Sequence, residues 1–254
     1  MPEGLEAEIW RAAIEPIVGR TVTDAWVDER VAPSGFVDAV VGAAIVGVRR
    51  VGKVVVVDGP EIGLHFGMTG RIVVDGDAPI DRLQYASGRD EPEWDRLRLF
   101  TDDRPVPALR FNDPRRLGRV SIDPDLSGLG VDFTAVTATR LIAAIGRRHA
   151  PVKTVLLDQH AIAGLGNMCA DEVLWWAGID PHRRASSLDD QEIGALARAI
   201  RRRLPVMLRL GGSHRGTLSP EVRAACPPCE RDGSPLRRDT IGGRTAVWCS
   251  VHQR

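Results

Sequence analysis

Residues 156–181 read LLDQHAIAGLGNMCADEVLWWAGIDP, and they carry two helical stretches with a glycine-rich break between them. In the second, Asn167 stands where a helix N-cap is expected, and Gly178 marks a stop shortly before Pro181. Helical periods extend outward on both sides, from about 134 to 212, through TAVTATRLIAAIG, PVKTVLLDQHAI and SLDDQEIGALARAIRRRLPVMLRLGG. The last of these has an acidic start and ends at Gly211-Gly212.

Before residue 134 the pattern is that of strands. TVTDAWV, AAIVGVRRV, KVVVVDG, IGLHFGM, RIVVDG, PALRFND and GRVSID are short apolar or alternating runs divided by Gly, Asp and Pro. This spacing predicts a β-sandwich or barrel. A helix through EAEIWRAAIEPIV precedes it, with Ile9, Ala13, Ile14 and Val18 on one face, and ASGRDEPEWD (86–95) reads as an exposed polar loop. No internal repeat or low-complexity tract interrupts the chain.

With 254 residues, 43% of them hydrophobic, the chain has material for one large or two modest domains. No run approaches the roughly 18–20 apolar residues of a membrane span, and no basic segment leads into an apolar one at the N-terminus. The expectation is a soluble, cytoplasmic protein. Net charge is zero, but residues 1–125 hold 16 basic against 22 acidic residues (net −6), and residues 126–254 hold 18 against 12 (net +6). That asymmetry fits a polyanion held by the second half, or two lobes of opposite sign that face one another. Of the 34 basic residues only Lys53 and Lys153 are lysines. Each is either a chance survivor or a place where a compact, titratable ammonium is wanted.

Three of the four cysteines fall near the C-terminus: Cys226-x-x-Cys229 is followed after 19 residues by Cys249-x-x-His252. Two such knuckles suit one tetrahedral, structural zinc ion with Cys226, Cys229, Cys249 and His252 as ligands. Disulfides are the competing account. SPLRRDT and RTAVWC flank a Gly242-Gly243 turn and predict a hairpin, which carries Arg244 near its tip and Arg237 and Arg238 on the opposite strand. These arginines are phosphate clamps or a solvated face.

MPEG at the N-terminus, GK at 52–53, HFGMTG at 65–70, FNDPRRLG at 111–118, the 156–181 block and the zinc hairpin together resemble the formamidopyrimidine-DNA glycosylase / endonuclease VIII family of base-excision repair enzymes. The resemblance spans essentially the whole chain. It implies a multi-domain α+β fold: an N-terminal helix with a β-sandwich (1–125), a helical helix-two-turn-helix domain (126–215) and a C-terminal zinc β-hairpin (222–254). It implies a bifunctional glycosylase/AP lyase acting on oxidised bases in damaged DNA, with double-stranded DNA the expected form and the preference among duplex, bubble and single strand left open by the sequence. Nothing in the sequence marks an oligomer interface, so a monomer is expected, without a nucleotide cofactor. Pro2, freed by loss of Met1, would be the nucleophile, forming a Schiff base that leads to β- or β,δ-elimination. A terminal amine, with a reference pKa of about 8, is more often neutral than a lysine.

Residue by residue, the resemblance makes Glu3 a general acid/base, Glu6 a carboxylate near the damaged base, and Lys53 and Arg244 further catalytic groups. Without the resemblance, Glu3 and Glu6 read as acids complementing a helix dipole. His65, Arg116, Asn167 and Arg244 match phosphate contacts; free N–H groups at the helix start of Asn167 would also suit an anion. Met68, Arg115 and Leu117 match the residues that fill the gap left by a flipped nucleotide. Leu117 replaces a phenylalanine common in the purine-specific members, His252 replaces a fourth cysteine, and residues 211–226 are short where some members carry a lid. Lesion preference, purine-derived or pyrimidine-derived, therefore stays open. A DNA-binding protein of the same fold without catalysis is the rival reading.

Overall fold

The computed structural model describes residues 2–80, 83, 88–103 and 105–254. Of the loop expected over 86–95, Ala86 and Ser87 lie outside the described residues. The chain forms two compact units, one of Pro2 with Glu6–Leu126 and one of Glu3–Leu5 with Ser127–Arg254. The helical segment and the hairpin fall within the same unit. Among the described residues, no helix is long and apolar enough to cross a membrane.

Helix α1 (Gly4–Ile14) stops just before Pro16, and a 3-10 turn follows over Glu15–Ile17. Its buried face is Ala7, Trp10 and Ile14, continued by Ile17. Of the face expected from the sequence, Ile9, Ala13 and Val18 are only partly buried at the edge of the core. Trp10 offers the largest apolar area, and the helix turns to bury it against Phe66, 4.0 Å between ring centroids.

The first unit continues as β1 (Val22–Val27), the short α2 (Phe36–Val40), β2 (Gly47–Val51), β3 (Val54–Asp58), β4 (Ile62–His65), β5 (Arg71–Val74), β6 (Asp95–Thr101), β7 (Leu109–Asn112) and β8 (Arg119–Ile122). Two four-stranded antiparallel sheets result, ordered β1-β6-β7-β5 and β2-β3-β4-β8. Their inner residues, among them Ile72, Leu97, Leu99, Leu109 and Phe111 from one and Val55, Val57, Ile62, Leu64 and Val120 from the other, make one core. The expected loop gives way at Asp95 to β6, which the run of strands read from the sequence lacks. Its alternation is masked by charge: Asp95 and Arg96 are buried, and the fold pairs them with Arg98, Arg110 and Asp28.

In the second unit β9 (Val131–Asp132) pairs in parallel with β10 (Ile162–Ala163). The helices are α3 (Ala138–Ile145), α4 (Val152–Leu157), α5 (Asn167–Ala177), α6 (Asp190–Arg209) and α7 (Pro220–Ala225). Asp189 and Glu192 close a capping box at the start of α6. Gly178 ends α5 in the left-handed region, φ +74°. The hairpin is β11 (Leu236–Ile241) and β12 (Arg244–Cys249), in register Ile241 to Arg244 around Gly242-Gly243. Both turn glycines have positive φ, as a two-residue hairpin turn requires.

Candidate active site and metal centre

Strand order gathers the first group of residues. Because β3 begins, β4 ends and β8 begins at the same end of their antiparallel sheet, that end collects the Gly52-Lys53 turn, the segment after His65 and the segment before Arg119. Lys53 is half-buried beside Val54, whose partner in register is His65, and His65 in turn pairs with Arg119. Desolvation by the surrounding protein pushes the His65 imidazole below its ordinary range, and the cations of Lys53 and Arg119 add to the effect.

The 113–118 segment is folded around Asp113, a fully buried carboxylate. It accepts the N–H groups of Arg115 at 3.2 Å and of Leu117 and Gly118 at 2.7 Å each, and the hydroxyl of Thr69. Held this way, Arg115, Arg116 and Leu117 project to the surface, Leu117 with 42% of its area exposed. Met68 is half-buried. Gly67 lets the two segments touch: its φ is +56°, and a Cβ there would lie 2.4 Å from the Leu117 carbonyl. Glu6, in the first turn of α1, is buried at 2% exposure. Pro2 is buried as well.

In the second unit Glu3 docks on the start of α5. Its carboxylate accepts N–H groups from Gly166 at 3.0 Å, Met168 at 2.8 Å and Cys169 at 3.1 Å. The next residue is fixed too, Gly4 N–H donating to the Gly164 carbonyl at 2.8 Å. The helix start expected to receive an external anion is therefore occupied by the protein's own carboxylate. Asn167 is the first helical residue rather than the cap, which is Gly166. Among the described residues its buried side-chain Oδ1 has no hydrogen-bond partner.

Two acids in the apolar run of α5, unremarked in the sequence, organise the rest of this unit. Asp171 receives Lys153 at 2.7 Å, Arg223, and the N–H of Val247 in β12 at 3.0 Å. Lys153 also donates to the Thr245 carbonyl at 2.6 Å; burial pushes its ammonium below the ordinary lysine range, against the pull of Asp171. Glu172 accepts the N–H groups of Thr217 at 3.0 Å and Leu218 at 2.9 Å, pinning the short 211–226 segment. At the hairpin, Arg237 lies over Trp248 and Arg238 donates to the Arg223 carbonyl. The Arg244 residue is exposed, and its side chain makes no hydrogen bond or ion pair among the described residues.

Cys229, Asp232, Cys249 and His252 bring ligand atoms within 4.8 Å of one another. Cys229 Sγ lies 3.5 Å from His252 Nδ1, which is 3.1 Å from Asp232, and Asp232 is 3.2 Å from Cys249 Sγ. Bonds of about 2.0–2.3 Å give tetrahedron edges of about 3.3–3.8 Å, so the donors fit zinc. His252 Nε2 lies 3.2 Å from the Trp175 carbonyl, which leaves Nδ1 for the metal. Cys226, expected as a ligand, is not in the group. It closes α7 with φ +45°, and its Sγ lies 3.8 Å from the Arg223 carbonyl, while Asp232 joins the other three donors.

Comparison with known proteins follows this division of the chain. The profile of the formamidopyrimidine-DNA glycosylase N-terminal domain matches residues 1–120, and that of the formamidopyrimidine-DNA glycosylase H2TH domain matches residues 128–218. A formamidopyrimidine-DNA glycosylase of Paracoccus denitrificans is 35% identical over the full length of both chains. One from Stenotrophomonas maltophilia is 33% identical, again over the full length of both. Among solved structures, the MutM (Fpg) protein of Thermus thermophilus superposes with a TM-score of 0.80 at 28% identity, covering 99% of this chain and 98% of its own. Lactococcus lactis Fpg, solved in complex with DNA containing an abasic site, shares the fold with a TM-score of 0.81 at 24% identity and 99% coverage of each chain.

Proposed function

The chain belongs to the formamidopyrimidine-DNA glycosylase family, and from this premise we propose that it is a DNA glycosylase of base-excision repair with AP lyase activity, in which Pro2 is the nucleophile. After removal of Met1, the Pro2 nitrogen attacks C1′ of the damaged nucleotide and the base departs with the glycosidic electron pair. The amine then loses its proton and the C1′–O4′ bond breaks, O4′ taking up a proton, which leaves an iminium ion at C1′ that draws electrons from the C2′–H bond. Loss of that proton expels the 3′ phosphate and cuts the strand.

One observation carries this reading. The two residues that follow Pro2 are anchored, Glu3 by its side-chain carboxylate, which accepts three backbone N–H groups, and Gly4 by its backbone N–H, which donates to the Gly164 carbonyl. An amine set on so fixed a backbone meets the sugar without paying for orientation at the moment of reaction. Glu3, one residue away, is the group assigned to move protons during ring opening and base loss. Lys53, His65, Arg116, Asn167 and Arg244 are assigned to the sugar-phosphate backbone, and Met68, Arg115 and Leu117 to the gap in the stack. Glu6 is assigned to the base pocket. One structural zinc ion would be held by Cys229, Cys249 and His252 with Asp232 as the fourth donor, and would stiffen the hairpin that presents Arg244. A DNA substrate supports a cytoplasmic location, with the nucleoid in a bacterium.

Borohydride trapping on an oligonucleotide with an abasic site tests the proposal. Wild-type protein is expected to give a covalent complex through its N-terminal residue, and Pro2→Gly and Glu3→Gln to give far less. Absence of any trapped wild-type species, with binding intact, overturns the lyase assignment.

A further inference from the structure

We propose that Asp28 is a positioning residue that aims Arg116 at a DNA phosphate; the inference rests on the function proposed above and concerns only the first unit. Arg116 is one of few non-glycine residues with positive φ, +53°, and its N–H is tied to the Asp113 carbonyl at 3.3 Å. Its Nε donates to Asp28 Oδ2 at 3.0 Å, across 88 residues of sequence. Its two Nη groups make no hydrogen bond or ion pair among the described residues, and 41% of the side chain is exposed.

A guanidinium held by Nε alone keeps its plane fixed and its terminal pair of N–H₂ groups turned outward. That is the edge which grips a phosphate in two-point fashion. The rotamer freedom that a loose surface arginine would lose on binding is given up before DNA arrives.

Asp28 is itself rigid. Its side chain is 6% exposed and is held by Arg30 Nε at 2.9 Å and Arg96 Nη1 at 3.1 Å. Arg96, 3% exposed, donates its Nε to the Asp113 carbonyl at 2.9 Å. A single buried guanidinium therefore ties the Asp113 backbone carbonyl, at the base of the 115–118 turn, to the Asp28 carboxylate that orders the Arg116 side chain. Three guanidinium charges, of Arg30, Arg96 and Arg116, meet the carboxylates of Asp28 and Asp113, an excess of one (3 − 2), so the cluster still favours an anion although acids stand at its centre.

Two opposing outcomes follow from removing the acid. If Asp28 only repels phosphate, its loss tightens DNA binding; if it aims Arg116, its loss weakens binding, and does so only while Arg116 is present. The test is a double-mutant cycle read by fluorescence anisotropy on a duplex carrying a tetrahydrofuran abasic analogue, at several salt concentrations. Arg116→Gln is expected to weaken binding about tenfold and to lower the salt slope by about one. Asp28→Asn is expected to weaken it several-fold, and the double variant to bind no more weakly than Arg116→Gln alone. Tighter binding by Asp28→Asn, or losses that multiply in the double variant, overturns the proposal.

Because Arg96 is buried against Asp28, Asp28→Glu provides a second cycle that keeps the charge while displacing the oxygen from Nε. It is expected to show the same dependence on Arg116, and independence overturns the proposal if Asp28→Asn does not fold. Wild-type borohydride trapping on a duplex carrying a natural abasic site runs alongside. If the wild type fails to trap, the proposed function falls; if it traps while Asp28 and Arg116 act independently, only this inference falls.

Discussion

The Met168 N–H donates to Glu3 Oε1 at 2.8 Å across 165 residues of chain, so the second residue after Met1 serves as the cap of a helix in the chain's second half. Gly166 makes the approach possible. A Cβ there would lie 2.3 Å from Glu3 Cδ, closer than any side chain tolerates. Gly166→Ala therefore displaces the carboxylate without altering any group assigned to the reaction. It is expected to slow single-turnover trapping on an abasic site by about a hundredfold, the scale of an ångström-sized misplacement. Trapping at the wild-type rate would show that the position of Glu3 does not matter.

The His65 imidazole gives a pH dependence with a definite sign. Its pKa in the fold lies below the ordinary 6.5, so between the two values the unfolded chain binds more protons. Its stability contribution is complete above 6.5 and is lost as pH falls toward the folded value. A phosphate beside it favours the cation, so DNA binding takes up a proton and strengthens as pH drops through that window. NMR titration of the free protein should place the midpoint below 6.5, and His65→Gln should flatten the low-pH part of the binding curve. A midpoint above 6.5 refutes both.

Leu117 is exposed, so its truncation has little fold to disturb. Leu117→Ala should change unfolding stability by no more than about 0.5 kcal/mol. It should also lower excision from duplex DNA about tenfold more than it lowers trapping on a single strand, where no stack needs filling. Equal losses on the two substrates would remove Leu117 from the wedge.

Cobalt substitution counts the thiolates at the metal centre. With Cys229 and Cys249 as the only sulfur ligands, the sulfur-to-cobalt charge-transfer band should have two-thiolate intensity, unchanged in Cys226→Ser and altered in Asp232→Asn. Three-thiolate intensity that falls in Cys226→Ser would put Cys226 in the coordination sphere. Chelation should loosen the hairpin, whose own core is the small cluster of Trp175, Leu218, Cys229, Leu236, Val247 and Cys249.

Local chemistry was legible in the sequence wherever one residue type dictates one conformation. Gly178 as a helix stop and Gly242-Gly243 as a hairpin turn are set by positive φ, and the order of strands before helices by the change of apolar period. What could not be read depends on partners distant in sequence. The helix start at Asn167 looks open until Glu3 fills it, and β6 goes unread as a strand until Asp28 and Arg110 neutralise its charges. The cap exchange between Gly166 and Asn167 has the same origin, since a remote carboxylate removes the need for a local one. Asp113 did leave a local trace: an acid followed by proline and a tight Arg-Arg-Leu-Gly turn suits a side chain that accepts its own downstream amides.

The Asp171 carboxylate has a consequence for how this protein can be taken apart. It binds Lys153, Arg223 and the Val247 amide at once, and with Glu3–Leu5 grouped with Ser127–Arg254, the second unit is assembled from three stretches of sequence that hold each other. A fragment ending at Arg215 would keep every helix from α3 to α6 and yet strand a buried ammonium and a buried carboxylate without Arg223 and β12. A chimera joined near residue 126 would carry a foreign Glu3 into its helix cap. The portable piece, for exchange between relatives or for design, is the second unit entire, Ser127–Arg254 together with Glu3–Leu5, because α3 and α6 share one core with α4 and α5.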